Sequence, residues 1–364
     1  MNTIPFVTRR SVRLIPHEGR RPVGGIIPDQ GLPPFAYQRR WSRNRLLPFN
    51  GTREADLNTE WDVQDVKFED LHGQYWYGGV LDDRFGHFIT ETASRFWWNI
   101  VHPGSGRTAL FVPQGARMSS APFRPVVRQL KNWQEDLLDY FGVDEWRIVD
   151  RPVIAQELII PAQGSLLFSS DHYPDFTKVL WEHARNSFGA SKADRRLFFS
   201  RPVAQNETVV GEEILAELFS RAGYEVVNPE LLPIRDQLEM AWNATHIVGV
   251  QGSAFHLLNA LGKPAAKVLL FQRLSDFSSD AFLKTLRTSA RDVSVVNVEF
   301  RFKSPVGSNY DVVFPDLSQM SRELPQFDPT LAVPIDLLNR WYASFLDRIS
   351  DYFGIVGREL PFER

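Results

Sequence analysis

Between residues 196 and 271 the chain alternates short apolar runs with amphipathic segments, and this alternation limits the folds open to it more than any other feature. The pattern predicts strands at 196–200, 224–227, 246–250 and 267–271, and helices at 212–222, 234–244 and 254–261, with Gly223 and Gly262 ending two of the helices. Strands that are almost continuously Val, Ile, Leu and Phe, each followed by a helix, imply a parallel sheet covered on both faces. This half therefore reads as a doubly wound parallel sheet, with a further strand at 293–298 and closing helices over 335–353.

The first half is less regular. Strands are expected at 74–80, 108–112 and 157–161 and helices at 123–141 and 175–188, while the polar run 189–194 reads as a linker. Residues 1–50 carry nine arginines and no lysine against Glu18 and Asp29 alone, and Pro22, Gly24, Gly25, Pro28, Gly31, Pro33 and Pro34 predict an irregular path. Such a basic arm suits wrapping its own domain or a neighbouring subunit, and it could touch an anionic membrane surface. A chain of 364 residues exceeds what one core usually serves, so two main units are expected.

Composition removes several function classes. A net charge of -3 argues against nucleic-acid binding along the whole chain, and the absence of cysteine excludes disulfides and thiolate chemistry. No apolar run is long enough to span a bilayer and the first residues lack a secretory apolar stretch, so a cytoplasmic enzyme is the default expectation. No G-x-S-x-G elbow, P-loop or H-E-x-x-H occurs, which disfavours serine hydrolases, P-loop kinases and zincin proteases.

Candidate chemistry concentrates in two places. Over 86–98 the order Gly-His-Phe-Ile-Thr-Glu-Thr-Ala-Ser-Arg-Phe-Trp-Trp sets His87, Glu91 and Arg95 four apart. On a regular helix they form one polar stripe roughly 80° wide, opposite Phe88, Ile89, Phe96 and Trp97. Such a stripe is either a base, an acid and a cation in one site or an ordinary run of i,i+4 ion pairs. In the second half, Arg201 follows the first strand, and Gly249 to His256 makes a turn of small residues expected to lead into a helix near Ser253. Ligands of parallel sheets bind beyond the carboxyl ends of strands, so Arg201 with the backbone of Gly252 and Ser253 could cradle a diphosphate. Glu212 and Glu213 could hold ribose hydroxyls or serve the helix dipole, and Gln237 and Asn259 could read a base or sugar or simply pack. Asp82 and Asp83 with His87 offer an alternative cation site, and Asp171 with His172 and Tyr173 an alternative acid/base group.

Together these segments resemble glycosyltransferase family 61, whose members include capsular polysaccharide biosynthesis proteins. The resemblance rests on Gly86-His87-Phe88 with Glu91, Arg95 and Trp97, on Ser200-Arg201 and Gly211-Glu212-Glu213, on Gly223 to Val227 with Pro229-Glu230, and on Gln237 and Gly249 to His256. It implies two Rossmann-like domains facing a cleft, the glycosyltransferase B type. Residues 1–70 would be a lead segment, 71–190 the acceptor side, 191–330 the nucleotide-sugar domain and 331–364 closing helices. It also implies an inverting transfer from a nucleotide-diphosphate-sugar to a hydroxyl of a glycan or polysaccharide. His87, Glu91 and Arg95 would then be catalytic, and Arg201, Glu212, Gln237, Gln251, Gly252, Ser253 and His256 would hold the donor, with no divalent metal. A glycoside hydrolase, or a sugar-binding scaffold of the same fold, would use a similar cleft without transfer.

Overall fold

The computed structural model describes residues 4–16, 25–27, 31–33, 35, 63–113, 129–165, 173–201, 211–262, 264–272, 277–302, 312–315 and 317–356. Two sheets organise the chain. The first contains β1 (Phe6–Ile15), β2 (Gly25–Ile26), β3 (Glu69–Leu71), β4 (Tyr75–Leu81), β5 (Thr108–Pro113), β6 (Trp146–Ile148) and β7 (Val153–Pro161), in the order β2-β1-β7-β4-β5-β6 with β3 also beside β7. Strands β4 to β7 run parallel, whereas β1 lies antiparallel to β7, with Phe6 opposite Pro161 and Leu14 opposite Val153. The sheet is thus mixed, and only its centre follows a Rossmann-like parallel plan.

The lead segment departs from the irregular path its composition predicts. Residues 6–15 form a ten-residue strand because Val12, Leu14 and Ile15 are buried while Arg9 and Arg10 face solvent. The prolines and glycines that suggested irregularity begin only at Pro22, so averaging over fifty residues concealed the strand. The expected helix at 123–141 is found as α3 (Asn132–Tyr140), and its earlier part lies outside the described residues.

Over 85–101 the chain is helical but not one regular helix. It passes from α1 (Phe85–His87) through a π turn (Phe88–Thr92) and a 3-10 turn (Ala93–Arg95) into α2 (Trp97–Val101). Side-chain hydroxyls contribute to this winding: Thr90 Oγ1 donates to Gly86 O at 2.7 Å and Ser94 Oγ to Glu91 O at 2.8 Å. Helix α4 (Pro174–Phe188) then leads through the expected polar connection into the second sheet.

That sheet contains β8 (Arg195–Phe199), β9 (Glu225–Val227), β10 (Ala244–Val250), β11 (Lys267–Phe271) and β12 (Asp292–Val296), ordered β12-β11-β10-β8-β9 and parallel throughout. Helices α5 (Glu212–Arg221) and α6 (Ile234–Trp242) make the first two crossovers. The expected helix at 254–261 is instead a 3-10 turn (Ser253–His256) followed by one short helix, α7 (Leu257–Ala260). Helix α8 (Phe277–Ser289), the hairpin of β13 (Val298–Phe302) with β14 (Val312–Pro315), and helix α9 (Leu317–Phe327) are unforeseen elements. One long helix, α10 (Ile335–Val356), closes the chain.

Alternation along the strands distributes the core. Leu197 and Phe199 of β8 and Ile247 of β10 share one buried cluster with Trp76, Phe88, Phe96 and Phe111 of the first half. Phe198 and Val248 point the other way, onto α5 and α10 through Leu215, Phe219 and Trp341. A continuous apolar layer therefore joins the inner faces of the two halves.

Candidate active site

The order β9-β8-β10-β11-β12 reverses direction between β8 and β10, so the helices that follow them, α5 and α7, pack on opposite faces of the sheet and leave a crevice beyond the paired strand ends. Phe199, Ser200 and Arg201 stand on one side of it and Val250, Gly252 and Ser253 on the other. These residues line a pocket of about 590 Å³, a size suited to a nucleotide-like ligand. Pro229, Glu230, Leu232 and Gln237 extend this wall, and Phe85, Trp133 and Asp136 face it from the first half.

Two glycines allow the close approaches here. A Cβ on Gly249 would lie 2.7 Å from the Phe199 carbonyl, so the neighbouring strands tolerate nothing larger. At Gly86 a Cβ would meet His256 Cδ2 at 2.6 Å and Ser253 Cβ at 3.5 Å. The backbone of α1 thus lies directly on the turn after β10, and two motifs far apart in sequence form one locality. Gly252 is different: its φ of -168° is extended backbone, and a Cβ there would stay 3.5 Å or more from its neighbours.

His87 and Glu91 are paired. His87 Nδ1 lies 2.7 Å from Glu91 Oε1 and 4.0 Å from Asp82 Oδ2. Glu91 is buried, while the His87 side chain remains 17% exposed. A carboxylate on Nδ1 fixes the imidazole so that Nε2 carries the lone pair, the arrangement of an oriented general base. Asp82 is itself held by Arg84, whose guanidinium donates to both carboxylate oxygens, with Nε at 2.8 Å from Oδ1. Burial acts to lower the Arg84 pKa, and the hydrogen bond and charge of Asp82, with Glu91 and Asp83, more than offset it.

Arg95 does not continue the expected stripe, and His87 and Glu91 themselves lie beside Phe85 without lining the pocket. The π and 3-10 turns break the regular spacing, and the Arg95 side chain is completely buried, donating to Pro161 O and lying 5.1 Å from the centre of the Tyr77 ring. Burial lowers its pKa to about 10 and raises that of Tyr77 to about 12, with each opposing the other's shift. This position ties the helical segment to β7 and offers no direct contact to a ligand.

The second-half residues also divide. Glu212 Oε1 accepts the Arg201 backbone N–H at 2.8 Å and Oε2 the guanidinium at 3.0 Å, so this glutamate orients the arginine. Glu213 is exposed. Gln237 lines the pocket with Nε2 donating to Leu232 O at 2.7 Å, and Ser253 is exposed at its rim. Gln251 is buried, its backbone N–H donating to Phe271 O. Because only a 3-10 turn and one short helix follow Ser253, the helix dipole expected at this turn is small. His256 is buried against Gly86, with Asn259 Nδ2 3.5 Å from its Nδ1. Burial first, then the charge of His87 with Glu91 opposing, depresses its pKa to about 3.

The family model for glycosyltransferase 61 matches residues 85–266, half of the chain, a span that begins at Phe85 and contains both motif regions. The chain belongs to glycosyltransferase family 61. No curated protein matches it significantly. As a member of this family it is a glycosyltransferase, with a sugar donor and an acceptor as substrates. No helix among the described residues is long and apolar enough to cross a membrane.

Within the matched span of this family 61 chain, sequence reasoning overlooked Phe85, Trp133 and Asp136. Trp133 and Asp136 stand three apart on α3, an aromatic and a carboxylate on one helix face, a pattern that periodicity absorbs into core and surface. The cation alternative also changes membership. Asp82, His87 and Glu91 hold donor atoms within 4.8 Å of one another, the one such group among the described residues, and Asp83 is not part of it. Asp171 and His172 lie outside the described residues.

Proposed function

We propose that this protein is an inverting, metal-independent glycosyltransferase that uses a nucleotide-diphosphate-sugar, with His87 as the general base. The observation that carries the reading is the 2.7 Å His87–Glu91 pair, two residues along the chain from Phe85, which lines the same crevice as Arg201. The acceptor hydroxyl oxygen forms a bond to the anomeric carbon as the bond from that carbon to the diphosphate oxygen breaks. The electron pair leaves on the diphosphate, and the hydroxyl proton passes to His87 Nε2. Glu91 orients the imidazole and stabilises the imidazolium that results.

Arg201, held by Glu212, meets the negative charge developing on the diphosphate. A guanidinium has five donors, so a carboxylate on one edge does not exhaust its capacity for phosphate oxygens. The nucleoside extends along Pro229 to Gln237, where Glu230 accepts ribose hydroxyls. Residues 191–330 form the donor half and 71–190 the acceptor half of a glycosyltransferase B arrangement. Arg95 is structural, and the buried, neutral His256 supports the base from behind Gly86 and does not contact the donor. The basic arm carrying Arg9 and Arg10 places the enzyme against the inner face of a membrane where anionic lipid is available.

A thermal-shift screen of nucleotide-sugars, followed by a donor-hydrolysis assay on those that stabilise the protein, tests this reading. Stabilisation by a nucleotide-sugar with slow release of its nucleoside diphosphate is expected. Cleavage of glycosides without nucleotide binding would make the protein a hydrolase, and sugar binding without turnover would make it a scaffold.

A further inference from the structure

The pocket wall facing Arg201 is aromatic, while the opposite wall mixes Ser200, Arg201 and Gln237 with apolar Phe199, Leu232 and Val250. Phe85 and Trp133 build the aromatic wall, with Asp136 one helical turn beyond Trp133. The Trp133 ring is only partly buried and meets Phe85 and Phe88 edge to face, at centroid distances of 5.2 and 5.4 Å. Phe88 behind it is wholly inaccessible, so the indole is backed by core. Helix α3 is also fastened to the turn that precedes His87: Gln134 Nε2 donates to Asp82 O and Lys131 Nζ to Asp83 O, each at 2.9 Å. The indole is therefore fixed in place relative to the His87 imidazole. No step described above uses Trp133 or Asp136.

Resting on the glycosyltransferase reading, we propose that Trp133, Phe85 and Asp136 form the acceptor subsite and select an uncharged pyranose. A backed aromatic surface takes the apolar C–H face of a pyranose, and a carboxylate at its edge accepts hydrogen bonds from ring hydroxyls. Asp136 and Glu230 both line the pocket, so an acceptor sugar bearing a carboxylate meets like charge. The subsite belongs to the acceptor and not to the nucleobase because it is fastened to the turn at Asp82 and Asp83 that leads into the helix carrying His87. A general base must lie within hydrogen-bond reach of the hydroxyl it deprotonates.

Saturation-transfer NMR on the full chain tests the assignment, with methyl β-glucopyranoside, methyl β-xylopyranoside and methyl β-glucuronide as probes. Calorimetry with UDP and GDP runs in parallel on wild type, Trp133→Leu and Asp136→Asn. Asp136 is exposed, so its variant keeps the fold if the indole variant does not. The two neutral glycosides should give ring-proton signals that fall about fivefold or more in each folded variant, as loss of a stacking or charged hydrogen-bond partner implies. The glucuronide should be silent in wild type and gain signal in Asp136→Asn, and nucleotide affinity should stay within about twofold, the limit for residues outside that seat. Three results would overturn the subsite: glycoside signals absent in wild type, signals unchanged in both variants, or nucleotide affinity falling about tenfold in Trp133→Leu, which would make the indole the nucleobase seat. Wild-type protein that binds the glycosides but neither nucleotide nor nucleotide-sugar would sink the transferase reading while leaving the sugar site standing.

Discussion

Gly86 and His256 come from opposite halves of the chain, yet they touch so closely that a Cβ on Gly86 would lie 2.6 Å from His256 Cδ2 and 3.1 Å from Nε2. Gly86→Ala should therefore destabilise the protein by about 1–3 kcal/mol, the usual cost of overpacking a tight contact. His256→Ala removes the obstacle, so the double variant should recover part of the loss. A coupling of about 1 kcal/mol in urea denaturation is expected for residues in contact. Strict additivity would show that the halves can separate at this point without cost.

The same burial makes His256 acid-sensitive. Its folded pKa, about 3, lies below the ordinary value of 6.5, so between these the unfolded chain binds a proton that the native protein refuses. Stability should thus fall as pH drops through this window and be unaffected by this group above it. His256→Asn should flatten the fall between about pH 6.5 and pH 4 relative to wild type. Parallel pH profiles of urea midpoints for the two proteins would place the acid sensitivity elsewhere.

Arg201→Ala should weaken nucleoside diphosphate binding by about 1.5–3 kcal/mol, the loss of a charged hydrogen bond, when measured by calorimetry. Gly252→Ala should leave the affinity within about twofold, because a Cβ there meets Val250 O at 3.5 Å and Arg201 Cδ at 3.7 Å, both ordinary contacts. A large loss in Gly252→Ala with none in Arg201→Ala would move the diphosphate away from the arginine and onto the turn.

Both oxygens of Asp82 are engaged by Arg84, so the carboxylates around His87 already have a cation. Activity after exhaustive chelation, and with Mg²⁺ or Mn²⁺ added back, should stay within about threefold, below the 1.4 kcal/mol of a tenfold effect. Abolition by chelation with recovery on Mn²⁺ would instead identify Asp82, His87 and Glu91 as a metal site that displaces Arg84.

The parallel half was legible from sequence because its strands are apolar on both faces and its helices end at Gly223 and Gly262. The predicted strand at 267–271 coincides with β11, that at 196–200 shifts by one residue, and that at 224–227 begins one residue early. Strand β1 was hidden because one of its faces is covered only near its end, by Val12 and Leu14, and its arginines dominate the composition. The His87–Glu91 pair was legible because four-residue spacing survives a short helical stretch. The burial of Arg95 was not legible because hydroxyl bonds from Thr90 and Ser94 accompany a π turn and a 3-10 turn that period alone does not reveal. Contacts such as Arg201 with Glu212, or Trp133 against Phe85, join separate elements, and no local pattern encodes them.

The central claim is that His87, oriented by Glu91, accepts the proton from the attacking hydroxyl. Its most direct test is the turnover number for donor hydrolysis in wild type, His87→Ala and Glu91→Gln, alongside the calorimetric affinity of each for the nucleoside diphosphate product. Both variants should lose about a hundredfold or more in kcat, the usual reach of general-base catalysis, while product affinity stays within about twofold. Wild-type turnover in both variants would contradict the account and reduce the pair to an ordinary ion pair of the fold.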